Sequence, residues 1–126
     1  MENVRFVGLD VHADSIAIAV AEPGRGEPGT VGTIPNDTVM LIKRLRRLGR
    51  VKCCYEAGPT GYGLHRDLGK AGIDCMVVAP SLVPTRAGDR VKTDRRDAVK
   101  LARFLRSGDL TEVKVPDEAT EAIRDL

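Results

Sequence analysis

Asp10, Glu56, Asp94 and Asp97 are the residues whose type and spacing point most directly to chemistry. Asp10 closes the apolar run Phe6-Val7-Gly8-Leu9, and Glu56 closes a second run that begins at Val51. An ionised carboxylate at the end of a buried strand is costly unless it is hydrogen-bonded, paired or bound to a metal. Asp94 and Asp97 stand at i and i+3, which puts them on one helical face. Ala98, Leu101 and Leu105 extend that face as an apolar stripe. Helix capping could account for Asp94, and a surface ion pair with Lys100 for Asp97. Neither alternative explains acids at two strand ends as well, so the four together imply a shared metal site. An oxygen-only ligand set suits Mg²⁺, with Mn²⁺ as a substitute, better than zinc. Two such ions about 4 Å apart can activate a nucleophile and stabilise a leaving oxygen in phosphodiester transfer. Arg86, Arg90, Lys92, Arg95 and Arg96 flank the last two acids and are expected to hold a DNA backbone over the ions.

The elements that must position these acids follow from hydrophobic periodicity and turn signals. Val4 to Asp10 reads as a first strand and Ser15 to Val20 as a second, with Ile16, Ile18 and Val20 on one face. A glycine-rich link leads to a weaker third strand, Gly29 to Ile34, completing an antiparallel meander. A helix capped by Asn36 or Asp37 runs to about Leu48 and buries Leu41, Ile42, Leu45 and Leu48. This crossover returns the chain to a strand, Val51 to Glu56, beside the first one. Asp10 and Glu56 should therefore converge at one end of the sheet. A second helix, Tyr62 to Ala71, precedes a fifth strand, Ile73 to Val78. Residues 81 to 93 give mixed signals, a short helical piece with a loop. A helix then runs from Asp94 to about Arg106, followed by an extended link, Thr111 to Pro116, and the start of another helix at Asp117. The expected class is α/β, a mixed five-stranded sheet with packed helices.

Composition sets the outer limits. The chain has 126 residues and a net charge of +2, with 42% hydrophobic residues and no Trp, so one domain with an aliphatic core is expected. The near-neutral total conceals a local net of +5 over residues 86 to 106 and of −4 over 107 to 126. The basic residues Lys43, Arg44, Arg46 and Arg47 read first as a solvated helix face. Cys53, Cys54 and Cys75 lack zinc-site spacing and read as reduced core cysteines. No secretory leader is visible, and no apolar run approaches the roughly 20 residues of a membrane span, so a cytoplasmic location without a membrane partner is expected. His12, two residues after Asp10, and Tyr62, after the Gly/Pro turn, are auxiliary candidates for the site. Each has a plain structural alternative. His65 reads as structural or exposed, and Gly58, Gly61 and Gly63 lack the lysine of a nucleotide-binding loop.

Four segments give the sequence a family resemblance: Phe-Val-Gly-Leu-Asp-Val-His at 6 to 12, Glu-Ala-Gly-Pro-Thr-Gly-Tyr at 56 to 62, Val-Val-Ala-Pro at 77 to 80, and Lys-Thr-Asp-Arg-Arg-Asp-Ala at 92 to 98. Together they resemble the N-terminal domain of the insertion sequence 110 family of transposases. That resemblance implies an RNase H-like fold related to the Holliday-junction resolvases, with an Asp-Glu-Asp-Asp tetrad falling on Asp10, Glu56, Asp94 and Asp97. It also implies Mg²⁺-dependent recombination of a mobile DNA element and its target, homo-oligomeric assembly and, in some relatives, a guide RNA. Residues 1–108 would be the catalytic domain, and 109–126 the start of a helical region leading to a second domain with a nucleophilic Ser. Ser15, Ser81 and Ser107 do not match that Ser motif. The competing readings are a structure-selective junction endonuclease and a noncatalytic nucleic-acid-binding domain.

Overall fold

The computed structural model describes residues 3–58, 61–79 and 94–116, with the side chains of residues 94–96 outside the description. Strands β1 (Arg5–Val11), β2 (Ser15–Ala21) and β3 (Gly29–Pro35) are followed by helix α1 (Thr38–Arg46). Strand β4 (Val51–Glu56), helix α2 (Gly63–Lys70), strand β5 (Asp74–Val78) and helix α3 (Asp94–Ser107) complete the described elements. The expected order and the five-stranded mixed sheet are both found, with element boundaries moved by only a few residues. The helix expected from Asp117, the mixed segment 81 to 93, and Arg86, Arg90 and Lys92 lie outside the described residues, as do the side chains of Arg95 and Arg96.

The strand order is β3-β2-β1-β4-β5. β1, β2 and β3 form the antiparallel meander, while β4 pairs in parallel with both β1 and β5. The crossover through α1 thus places β4 directly beside β1. Asp37 caps α1, its carboxylate accepting from the Met40 amide at 3.1 Å.

Alternation along the strands divides the core between two faces. Val7, Leu9, Ile16, Ile18, Cys53, Tyr55 and Val77 join Leu41 and Leu45 of α1 and Leu68 of α2 in one cluster. Ala17, Ala19 and Ala21 of β2 face the other way and pack against Ala98 and Ala102 of α3. Cys54 and Val78 meet Leu101 and Leu105 of α3 on that same side. β2 is therefore buried on both faces, whereas only its Ile16-Ile18-Val20 face stands out as core in the sequence. Alanines are small enough to let a helix lie close to the strand.

The extended link after α3 runs beside β5. Glu112 bridges to Val78, and the Val113 amide donates to the Val77 carbonyl at 2.7 Å. Among the described residues no helix is long and apolar enough to cross a membrane.

Candidate active site

Asp10 and Glu56 belong to the face of the sheet that α3 covers. Register carries this conclusion: Gly8 lies against α3, and Asp10 is two residues farther along the same strand. Cys54 donates from Sγ to the Leu101 carbonyl of α3 at 3.7 Å, and Glu56 is two residues beyond it. β1 and β4 are parallel, with Gly8 opposite Cys54 and Leu9 opposite Tyr55. One further step brings Asp10 and Glu56 to the same, C-terminal edge of the two central strands. Both side chains are partly buried there.

The direction of α3 brings its acidic end to that edge. At its other end, Arg106 donates to the carbonyls of Glu22 and Gly26 at 3.0 and 2.7 Å, and Arg103 pairs with Glu27. Those acceptors lie in the β2–β3 loop, next to the beginning of β1, since Ala21 pairs with Phe6. The helix consequently runs antiparallel to β1, and its first turn, with Asp94 and Asp97, lies toward the end at which Asp10 stands. Asp97 is partly buried, and the adjoining Ala98, with Leu101 and Leu105, is buried against the sheet as the stripe predicts.

Gly8 sets how closely α3 can approach. A Cβ at this position would collide with the carbonyl oxygen of Ala98 and lie 2.6 Å from the Ala102 amide nitrogen. Only a residue without a side chain allows this backbone-to-backbone packing. Gly8, the alanines of β2 and Cys54 set how α3 lies on the sheet without being among the candidate ligands, and a glycine inside a strand is the sequence signal for the Gly8 contact.

Asp10 is further fixed by His12. The His12 Nε2 lies 3.0 Å from Asp10 Oδ2, and since a carboxylate accepts only, this nitrogen donates. His12 is held in turn by the β1–β2 turn, where its amide donates to the Ser15 carbonyl at 2.8 Å and Asn36 Nδ2 donates to its carbonyl at 2.6 Å. The Asp10 side chain is 16% exposed and that of His12 43%, so the pair sits at the rim of the sheet, not within it.

Behind Glu56, Tyr55 organises the turn into α2. Its hydroxyl donates to the Gly61 carbonyl at 3.1 Å and accepts from the His65 amide at 3.2 Å. The N-cap residue of α2, Tyr62, supplies no side-chain cap, so the Tyr55 hydroxyl satisfies one of that helix's orphan amides. Burial, opposed by the His65 hydrogen bond, pushes the Tyr55 phenol up to about 12. Tyr62 is partly buried and packs against the core cluster. His65 is also structural, its Nδ1 donating to the Cys75 carbonyl at 2.8 Å.

The donor set is of the oxygen type that Mg²⁺ or Mn²⁺ prefers, and its described members are brought to one edge and one face. Among the described residues, no three His, Cys, Asp or Glu side chains close to the spacing that would hold an ion.

The family model of the DEDD transposases of the insertion sequence 110 type, described as Transposase, matches residues 7–126. The chain belongs to this transposase family. The transposase-like protein y4qE of Sinorhizobium fredii is 52% identical over 126 residues, covering 96% of this chain and 32% of its own length. The transposase for insertion sequence element IS1533 of Leptospira borgpetersenii is 38% identical over 130 residues, covering 99% of this chain and 38% of its own. The chain thus spans about a third of the length of these curated relatives. Among solved structures, Thermus thermophilus RuvC superposes with a TM-score of 0.60 at 11% identity, over 87% of this chain and 100% of that one. The mixed sheet, with the three helices found among the described residues, therefore has the RNase H-like, resolvase-like fold expected from the motifs.

Proposed function

We propose that this transposase chain supplies the divalent-metal-dependent phosphodiester chemistry of transposition, with Asp10, Glu56, Asp94 and Asp97 as the ligands of two Mg²⁺ ions. Residues 1–108 would form the catalytic domain, and 109–126 would lead toward the remainder of a longer transposase. The observation that carries the reading is the placement of Asp10 and Glu56 at the same edge of adjacent parallel strands, on the face that α3 covers. Family membership supports it independently.

When bound, the cations would supply Lewis-acid activation and neutralise charge developing during strand transfer. The chain's own groups have separable tasks. Asp10 and Glu56 offer carboxylate oxygens from the rigid sheet, and Asp94 and Asp97 offer theirs from the first turn of α3. His12 holds the Asp10 carboxylate in orientation. Arg86, Arg90, Lys92, Arg95 and Arg96 would contact the phosphates of DNA from the mobile element and its target, locating a strand over the acids. Assembly into a homo-oligomer and pairing with a guide RNA belong to this proposal for the whole transposase.

Calorimetric titration of the chain with Mn²⁺ and Mg²⁺ tests it. Binding is expected in the unsubstituted protein, weakened at least tenfold by Asp10→Asn and by Glu56→Gln, with circular dichroism unchanged. No binding by the folded protein, or full affinity retained in both variants, would overturn the assignment.

A further inference from the structure

The sheet's opposite edge carries a second charged feature. A cleft of about 410 Å³ is lined by Val4, Arg46, Arg50, Lys52, Ile73 and Asp74, among others, at the beginnings of β1, β4 and β5. Lys43, Arg46 and Arg47 stand at i, i+3 and i+4 along α1 and continue this basic surface from the helix. Residues 43 to 52 contain six basic side chains and no acidic one. A helix C-terminus favours cations, which accounts for a basic last turn of α1. It does not account for Arg50 and Lys52, which lie beyond the helix and line the cleft. Arg46 is held at its wall by donating to the Ala71 carbonyl at 3.3 Å.

From this we infer that the cleft and the adjoining α1 surface bind the phosphate backbone of a second nucleic-acid segment, separate from the segment placed at the acids. Glu56 is five residues beyond Val51 on β4, a separation of roughly 17 Å along the strand. The surface also includes α1, which packs on the face opposite to α3. A strand lying over Asp10 and Glu56 is therefore screened from this surface by the sheet itself. Three basic side chains against one acid, Asp74, in the cleft, extended by Lys43 and Arg47 of α1, leave an excess of positive charge that fits a polyanion, and its guanidinium and ammonium groups suit phosphate oxygens. The choice of nucleic acid over another polyanion rests on the proposed DNA chemistry.

Fluorescence anisotropy with a labelled 20-base-pair duplex, in EDTA and over a series of salt concentrations, tests the inference. The triple variant Lys43→Gln, Arg47→Gln, Lys52→Gln should weaken binding at least tenfold at 0.1 M salt. Its log-affinity against log-salt slope should be shallower by about 2 to 3, near 0.9 per lost phosphate contact. Mn²⁺ binding should be unchanged in this variant, which separates the result from the fate of the metal assignment. Unchanged duplex affinity and salt slope in the folded variant would overturn the inference, as would polyglutamate of equal charge displacing the duplex as well as unlabelled DNA does.

Discussion

At Gly8 the packing of α3 rests on a single missing side chain. The two nearest atoms that an added methyl would meet belong to the backbone of α3 and the third is the Leu101 Cβ, so no side-chain rotation can relieve the collision. Gly8→Ala should therefore destabilise the fold by about 3 kcal/mol, the upper part of the overpacking range, and separate α3 from β1. Urea unfolding measures the loss; a change under about 1 kcal/mol would show that α3 adjusts freely. Tyr55→Phe makes a contrasting case, because it removes only the hydroxyl that joins Gly61 to the His65 amide. A cost of about 1 to 2 kcal/mol is expected, with faster hydrogen exchange at the start of α2. Exchange there unchanged from the unsubstituted protein would refute the capping role. As candidates, Asp10 and Glu56 stand out in the sequence because a carboxylate ending an apolar run is chemically anomalous, and Asp94 and Asp97 because their spacing puts both on one helical face. Tyr55 was not legible, since it caps a helix from another element and only the tertiary fold brings hydroxyl and amide together.

Between elements, the arginines of α3 divide into two groups with different work. Arg95 and Arg96 stand beside the acids in sequence, whereas Arg103 and Arg106 hold the β2–β3 loop at the far end. Arg106 thereby forms a latch, since sliding of α3 along β1 would break both of its hydrogen bonds. Arg106→Ala should cost about 1.5 to 3 kcal/mol, as expected for hydrogen bonds made by a charged donor. Faster hydrogen exchange in residues 22–28 and a several-fold weaker Mn²⁺ affinity should accompany it. Loss of stability with Mn²⁺ affinity and loop exchange both intact would dismiss the latch. Periodicity made the helices and strands readable, and the crossover through α1 correctly placed β4 beside β1. The latch escaped that reading, because a basic residue on an amphipathic helix gives no sign of which distant carbonyl it will meet. The second buried face of β2 escaped it for a related reason: Ala17, Ala19 and Ala21 carry too little apolar surface to announce a core face until α3 lies on them.

The molecule as a whole is organised by a sheet with helices packed on both faces of its inner strands, and its three cysteines report on the burial there. Cys53 and Cys75 belong to the face under α1 and α2, while Cys54 belongs to the face under α3, and all three are free and buried. Desolvation pushes the Cys75 thiol up to about 12 and moves Cys53 and Cys54 upward as well. In the unfolded chain these thiols ionise near 8.5, so above that pH the unfolded state releases protons that the folded state retains. Fewer protons on the unfolded chain mean that stability falls as pH rises. The contribution is complete below about pH 8.5 and declines toward about pH 12, at about 1.4 kcal/mol per pH unit for each ionising thiol. Denaturant unfolding at pH 7.5 and 9.5 should show this decline, and Cys53→Ala should reduce its slope by one thiol's share. An equal slope in the variant would show that ionisation of Cys53 is not linked to folding. At pH 7.5 a thiol-specific reagent should leave the native chain unmodified and react with all three cysteines after unfolding. Rapid modification of Cys54 alone in the native protein would mean instead that α3 opens from the sheet while the other face stays closed.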